Sequence, residues 1–241
     1  MAYTTIDDPT IYFNTKLYTG NGSTNALTGV GFQPDWVWTK GRGDTYSHML
    51  YDSVRGATKE LNSHLTDAET TVTNSLTSFN SDGFTLGSFG ESNDNSQSYV
   101  AWCWKANGSG SSNTNGTINT TSTSANTTAG FSINTYVGNA TSNQTIGHGL
   151  GAVPHMIISK NRDNTSTHYN DWMIYHHSNA TANDKKLKLN TSDAVSTTNE
   201  WGDTDPTSTV YSVHTSGDGA TNDGTDKIVS YVFTGIQGYS K

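Results

Sequence analysis

A single cysteine, Cys103, stands in a chain of 241 residues. It excludes an internal disulfide framework and a zinc site built on several thiolates, so stability has to come from packing. Charge is scarce as well. Asp, Glu, Lys and Arg together make 14% of the chain, where ordinary soluble domains carry about 25%. Cations are the scarcer sign, 13 against 21 acids, for a net charge of −8. Too few Lys and Arg are present to displace counterions from phosphates, which argues against sequence-independent nucleic-acid binding. No apolar run approaches the roughly eighteen residues of a membrane-spanning helix, so no membrane insertion is expected. The opening residues, Met1 to Asp8, lack the basic and apolar regions of a signal peptide. A soluble protein without an export address is therefore expected.

The composition is dominated instead by Thr, Ser and Asn, with 39, 28 and 24 residues, 91 in all, beside 24 Gly. Such a chain is short of helix formers. Its 25 aromatic residues argue against disorder, because each can bury a large area. Apolar runs are short, rich in β-branched and aromatic residues, and separated by Gly, Asn, Asp and Ser. The pattern predicts an all-β fold of antiparallel β-sandwich, jelly-roll-like units. Helix signals are confined to Thr66–Thr73, where Asp67 and Glu69 open a possible turn, and Asp184–Leu189, which reads equally well as a strand.

The chain also repeats itself. Leu17-Tyr18-Thr19-Gly20-Asn21 is echoed 118 residues later by Thr135-Tyr136-Val137-Gly138-Asn139. Pro34-Asp35-Trp36-Val37-Trp38-Thr39-Lys40-Gly41-Arg42 is answered by Pro154-His155-Met156-Ile157-Ile158-Ser159-Lys160-Asn161-Arg162. Tyr99 through Trp104 corresponds to Ile228 through Phe233. Two tandem β-sandwich units are expected, residues 1–105 and 129–241. The Asn/Ser/Thr/Gly-rich stretch 106–128 between them reads as a flexible or extended linker. Alternation places Trp36, Trp38, Lys40 and Arg42 on one face and Val37 on the other, so this strand is expected to be buried on both sides. Val100, Trp102 and Trp104, answered by Val229, Tyr231 and Phe233, are expected to form the cores of the two units.

Candidate chemistry is thin. Six acids, Asp35, Asp52, Glu60, Asp82, Asp171 and Glu200, are the available material for a glycosidase pair, but most sit in apparent turns, where carboxylates cap backbone N–H groups. His168, Asp171, His176 and His177 are the densest group of possible metal ligands. Adjacent histidines on a strand point to opposite faces, so surface histidines are the expected reading. The stretch 217–226 has the oxygen ligands for Ca²⁺ without the EF-hand spacing, and reads as a polar loop. No Gly-x-Ser-x-Gly nucleophile elbow occurs. The most specific polar feature is the recurring basic pair, Lys40 with Arg42 and Lys160 with Arg162. These residues either meet an acidic partner or cover apolar surface beside the aromatic row.

The motifs Tyr18 to Gly22, Gly31-Phe32-Gln33-Pro34-Asp35-Trp36-Val37-Trp38, Asp52-Ser53-Val54-Arg55-Gly56, Phe79 to Phe84 and Tyr99 to Ala106 together resemble a domain of unknown function common in marine bacteriophage structural proteins. Pro154 to Arg162 and Trp172 to His176 look like a variant of the same domain, with Met156 and His155 in place of Trp36 and Asp35. The resemblance implies a virion protein, a tail fibre or a capsid decoration, assembled as a homo-oligomer with other virion proteins. It carries over no catalytic residue and no cofactor. The alternative expectation is a carbohydrate-binding module for a host surface glycan, using exposed aromatics such as Trp201 as stacking platforms.

Overall fold

A computed structural model describes residues 4–163, 170–215 and 221–240. Its N-terminal half holds β1 (Phe13–Thr19), β2 (Asn25–Leu27), β3 (Trp36–Gly41), β4 (Met49–Asp52), β5 (Lys59–Asn62), β6 (Thr70–Thr71), β7 (Leu76–Asn80), β8 (Gly83–Leu86) and β9 (Ser98–Trp104). The C-terminal half holds β10 (Ser122–Asn126), β11 (Phe131–Val137), β12 (Gln144–Gly147), β13 (Pro154–Asn161), β14 (Met173–His176), β15 (Lys185–Lys188), β16 (Ser196–Thr197), β17 (Val210–Val213) and β18 (Lys227–Thr234). The protein is all-β, as its composition predicts, and the ladders between these strands are antiparallel. Among the described residues no helix is long and apolar enough to cross a membrane.

Each half has one large sheet and one small one. The first large sheet runs β1-β9-β3-β4-β5-β6, and the second β11-β18-β13-β14-β15-β16 with β10 added outside β11. Position by position, the two orders correspond. The small sheets are β2-β8-β7 and β12-β17.

Strand alternation then builds three cores. Val37, Tyr51, Tyr99, Ala101 and Cys103 turn inward to meet Leu27, Leu76, Phe84 and Leu86 of the first small sheet. Ile157, Tyr175, Ile228 and Val232 likewise meet Ile146, Tyr211 and Val213. The opposite faces of the two large sheets pack on each other through Trp36, Leu50, Leu61, Phe131, Ile133, Ile158, Trp172, Val229 and Tyr231. The result is four layers of sheet with an apolar seam down the middle.

That seam corrects one expectation. Val229, Tyr231, Phe233 and Trp104 do share a face, but this face packs against the other half and does not form the separate core of each unit. The separate cores use residues of the other parity. Trp36 is the hub of the seam, stacked on Tyr231 with ring centroids 4.2 Å apart and lying 4.4 Å from Trp104, 5.8 Å from Phe131 and 6.1 Å from Phe233.

The expected linker is also structured. Ser122–Asn126 is a strand paired with Phe131–Thr135, Ser111 bridges to Thr123, and Ile118 bridges to Ile146. Ala106 joins the seam. The residues that suggested flexibility are spent on local hydrogen bonds. Asn113 N–H donates to Thr120 Oγ1 at 2.8 Å, Thr120 N–H donates to the Asn113 carbonyl at 3.0 Å, and Asn107 N–H donates to Ser124 Oγ at 2.7 Å. Gly110 adopts φ +70°, and a Cβ there would collide with the Thr123 carbonyl, so its glycine serves close approach rather than mobility. The possible helix at Thr66–Thr73 is absent. That segment carries β6, and Glu69 N–H donates to the Arg162 carbonyl at 2.8 Å across the seam, a bond a helix would forfeit. Over Asp184–Leu189 the strand alternative holds, as β15.

Candidate functional site

The basic pairs do not form one site. Lys40 Nζ donates to the carbonyls of Asp44 and Tyr46, at 3.1 and 2.6 Å, and so stitches the loop after β3. Arg42 is exposed in that loop. Lys160 is wholly buried. Its three protons meet three carbonyls, those of Asn161 at 2.8 Å, Asn170 at 3.0 Å and, across the seam, Thr66 at 3.1 Å. Arg162 makes a bidentate pair with Glu69, both bonds 2.8 Å. Lys160 and Arg162 thus join the halves and offer nothing to an acidic partner. Trp201 is 1% exposed, in the C-terminal core and edge-on to Tyr175, so it cannot serve as a stacking platform.

Burial pushes the Lys160 ammonium down to about 8 from 10.5, against the pull of Asp67 and Asp171. Between those two values the unfolded chain holds a proton that the folded chain has released. The contribution of this group to stability therefore rises with pH across that window and is lost as pH falls through about 8. Denaturant titrations of the wild type and Lys160→Met from pH 7 to 10.5 should show the wild type gaining on the variant across this interval. A constant difference would contradict the assignment.

The acids are likewise occupied. Asp35 accepts from Ala106 N–H at 2.7 Å and Ser53 Oγ at 2.9 Å. Asp82 accepts from Gly29 and Gly31 N–H, which hold its carboxyl below the usual range. Asp171 pairs with Lys188 at 2.6 Å, and Glu200 accepts from Thr221 Oγ1. Burial pushes Glu60 up to about 7 beside the Tyr51 hydroxyl. Asp52 belongs to the seam. His176 and His177 lie 5.3 Å apart, and His177 stacks on His155 at 4.0 Å. Among the described residues no cluster of three His, Cys, Asp or Glu is arranged to hold a metal. His168 and residues 217–220 of the Asp/Gly-rich stretch lie outside the described residues. Within its remainder, Asp226 accepts from Asn161 Nδ2 at 2.9 Å.

The feature that stands out is an aromatic groove beside the seam. Register places Trp102 opposite Trp38 on the neighbouring strand and opposite Thr15 on the other side. The two indoles meet edge-to-face at 6.1 Å and 79°. With Trp104 and His48 they line a hollow of about 280 Å³. Trp38, Trp102, Trp104 and His48 are each only partly buried, while Thr15 is exposed. Trp38 Nε1–H donates to His48 Nδ1 at 3.0 Å. An indole N–H can only donate, so Nδ1 must accept, and the neutral imidazole carries its proton on Nε2. Burial first, then the charges of Lys40 and His64, pull the His48 value below the usual histidine range, which favours that neutral form. On the far side of Trp104, Phe13, Ala129, Phe131, Phe233 and Tyr239 line a second hollow of about 190 Å³.

Alternation puts Trp38 with Trp36 on one face of its strand and Trp102 with Trp104 on one face of theirs, and the register brings the two faces together. What sequence reasoning missed is that the covering sheet leaves Trp38, Trp102 and Trp104 partly open. The corresponding residues of the second half, Ile158, Tyr231 and Phe233, belong to the seam, with Ile158 and Tyr231 buried.

A comparison with known families matches residues 8–241 to a domain of unknown function, DUF7483, a single span that covers both halves. No curated protein and no solved structure matches the chain.

Proposed function

Since the chain belongs to the family of the domain of unknown function DUF7483, we propose that it is a non-enzymatic structural protein of a bacteriophage particle, a tail fibre or capsid decoration. In this reading its two halves are tandem copies of one sandwich unit, and it assembles as a homo-oligomer with other virion proteins. The observation that carries the proposal is the seam. Two sandwiches are joined into one body by stacked aromatics, the Arg162–Glu69 ion pair and the Tyr231–Asp52 hydrogen bond, which suits a part that bears load rather than one that opens around a substrate. The matching strand order of the two large sheets supports the tandem origin. Support for assembly comes from β1, a seven-residue edge strand on which Thr15, Leu17 and Thr19 are exposed, Leu17 by 58%. Edges of that kind are where further chains pair.

Purified particles of the phage that encodes it should contain the protein in many copies. Mass spectrometry of gradient-purified particles, with immunogold labelling, reads this directly. Recovery only from the soluble fraction of infected cells, with none on particles, would overturn the reading.

A further inference from the structure

We propose that the groove between Trp38, Trp102 and Trp104 binds one neutral pyranose ring of a glycan. The inference is independent of where the protein resides and does not rest on the particle assignment.

Size selects the class of occupant. The hollow of about 280 Å³ lies just below the range of drug-sized ligand sites, roughly 300–1,000 Å³, which suits one small ring. A stable protein partner needs about 800 Å² of contact from each side, which three indoles and an imidazole cannot supply. Trp102 and Trp38, side by side on β9 and β3, meet at 79° with ring centroids 6.1 Å apart, so a sugar ring lying on the face of one indole meets the edge of the other in an apolar corner.

Chemistry narrows it further. A pyranose has one face of C–H groups and a rim of hydroxyls. Its weakly positive C–H groups suit the negative face of an indole, and its rim needs a few polar groups placed beside the aromatics. The groove has them on both sides. Thr15, exposed and in register with Trp102, lies at one flank. His48 lies at the other, with Nδ1 engaged by Trp38 and Nε2–H as the remaining ring donor. No cation lines the hollow, and Lys40, whose charge acts on His48, already bonds two carbonyls, so the lining does not select for an acidic sugar. A net charge of −8 also disfavours an acidic sugar or a stacked nucleotide.

Fixation is built in. The Trp38–His48 bond holds one indole, and Trp104 is held by Phe13 at 4.9 Å and Trp36 at 4.4 Å. Preorganised rings lose little freedom on binding.

The test is an NMR titration of the six indole N–H resonances with glucose, galactose, mannose and N-acetylglucosamine and their short β- and α-linked oligomers. The indoles of Trp38, Trp102 and Trp104 should shift with at least one sugar, while those of the buried Trp172 and Trp201 stay still. Trp102→Ala should weaken that binding at least tenfold with the melting temperature little changed. His48→Gln, which keeps an acceptor and a donor, should weaken it only a few-fold and guards against misfolding of the first variant. The proposal is overturned if none of these sugars moves the groove indoles at tens of millimolar, or if Trp102→Ala binds as tightly as the wild type. Sedimentation showing that Trp102→Ala dissociates an oligomer without affecting sugar binding would also overturn it, making the groove a contact between copies.

Discussion

Trp36→Ala is expected to lower the unfolding free energy by about 3–5 kcal/mol, the range for removing a large aromatic from a core. Trp36 is 1% exposed and touches both halves at once, with Tyr231, Phe131 and Phe233 on one side and Trp104 and Trp38 on the other. Its Nε1 has no hydrogen-bond partner, so no hydrogen bond is lost on truncation and the cost is that of packing and of the cavity left behind. A second effect follows from its position. The seam makes unfolding of one half expose the other, so the wild type should unfold in a single transition. Trp36→Ala should broaden or split that transition in guanidinium, with a fall in the apparent m-value. Val37→Ala is the matched control. It sits one residue away in the N-terminal core, and should destabilise without uncoupling the halves. A loss below about 1 kcal/mol for Trp36→Ala, or an unchanged m-value, would count against a seam that couples them.

How far the sequence could be read depended on whether the deciding interaction was local. Alternation is local, and it assigned Trp36 and Val37 to opposite buried faces correctly. What covers a face is not local, so Tyr231 and Phe233 were given to a separate core when they pack on the other half. The second basic pair shows the same limit. Lys160 and Arg162 echo Lys40 and Arg42, but their partners, the Thr66 carbonyl and Glu69, come from about 93 residues away. Trp201 is expected from the sequence to be an exposed platform, yet it packs into the C-terminal core against Tyr175 and is 1% exposed. Composition misled at 106–128, since Ser, Thr, Asn and Gly make both solvated linkers and hydrogen-bonded loops. The difference lies in β11, which gives Ser122–Asn126 a partner. The groove needed both kinds of knowledge. Its rings are visible in the motif, and their partial exposure depends on where the second sheet stops.

The second large effect is expected at Asp52, where Asp52→Asn should cost about 3–5 kcal/mol, the range for breaking a buried pair from one side. Both Asp52 and the Arg55 side chain are fully buried. One carboxylate oxygen accepts from the backbone N–H of Val54 and Arg55, at 3.1 and 2.7 Å, and the other from the Tyr231 hydroxyl at 2.7 Å and from Arg55 Nε. An asparagine retains one acceptor oxygen, and its NH₂ would face either the two backbone N–H groups or Arg55 Nε, all of which can only donate. The guanidinium would keep Glu69 at 3.1 Å and the Leu50 carbonyl at 3.0 Å, but no carboxylate at Nε. Glu69→Gln is the informative comparison, because Glu69 serves Arg55 and Arg162 from a partly accessible position, 12% exposed. Burial raises its carboxyl value, but the hydrogen bond from Arg162 and the charges of Arg55 and Arg162 outweigh this and hold it below the ordinary 4.5. The stability this group supplies is complete above about pH 4.5 and lost as pH falls through its lower folded value. Urea titrations should therefore find the gap between wild type and Glu69→Gln constant from pH 5 to 7 and closing below pH 4.5, while Asp52→Asn remains the costlier change at pH 7. If Asp52→Asn were nearly neutral, or the Glu69→Gln gap widened in acid, the ion-pair network would not be what clamps the two sheets together.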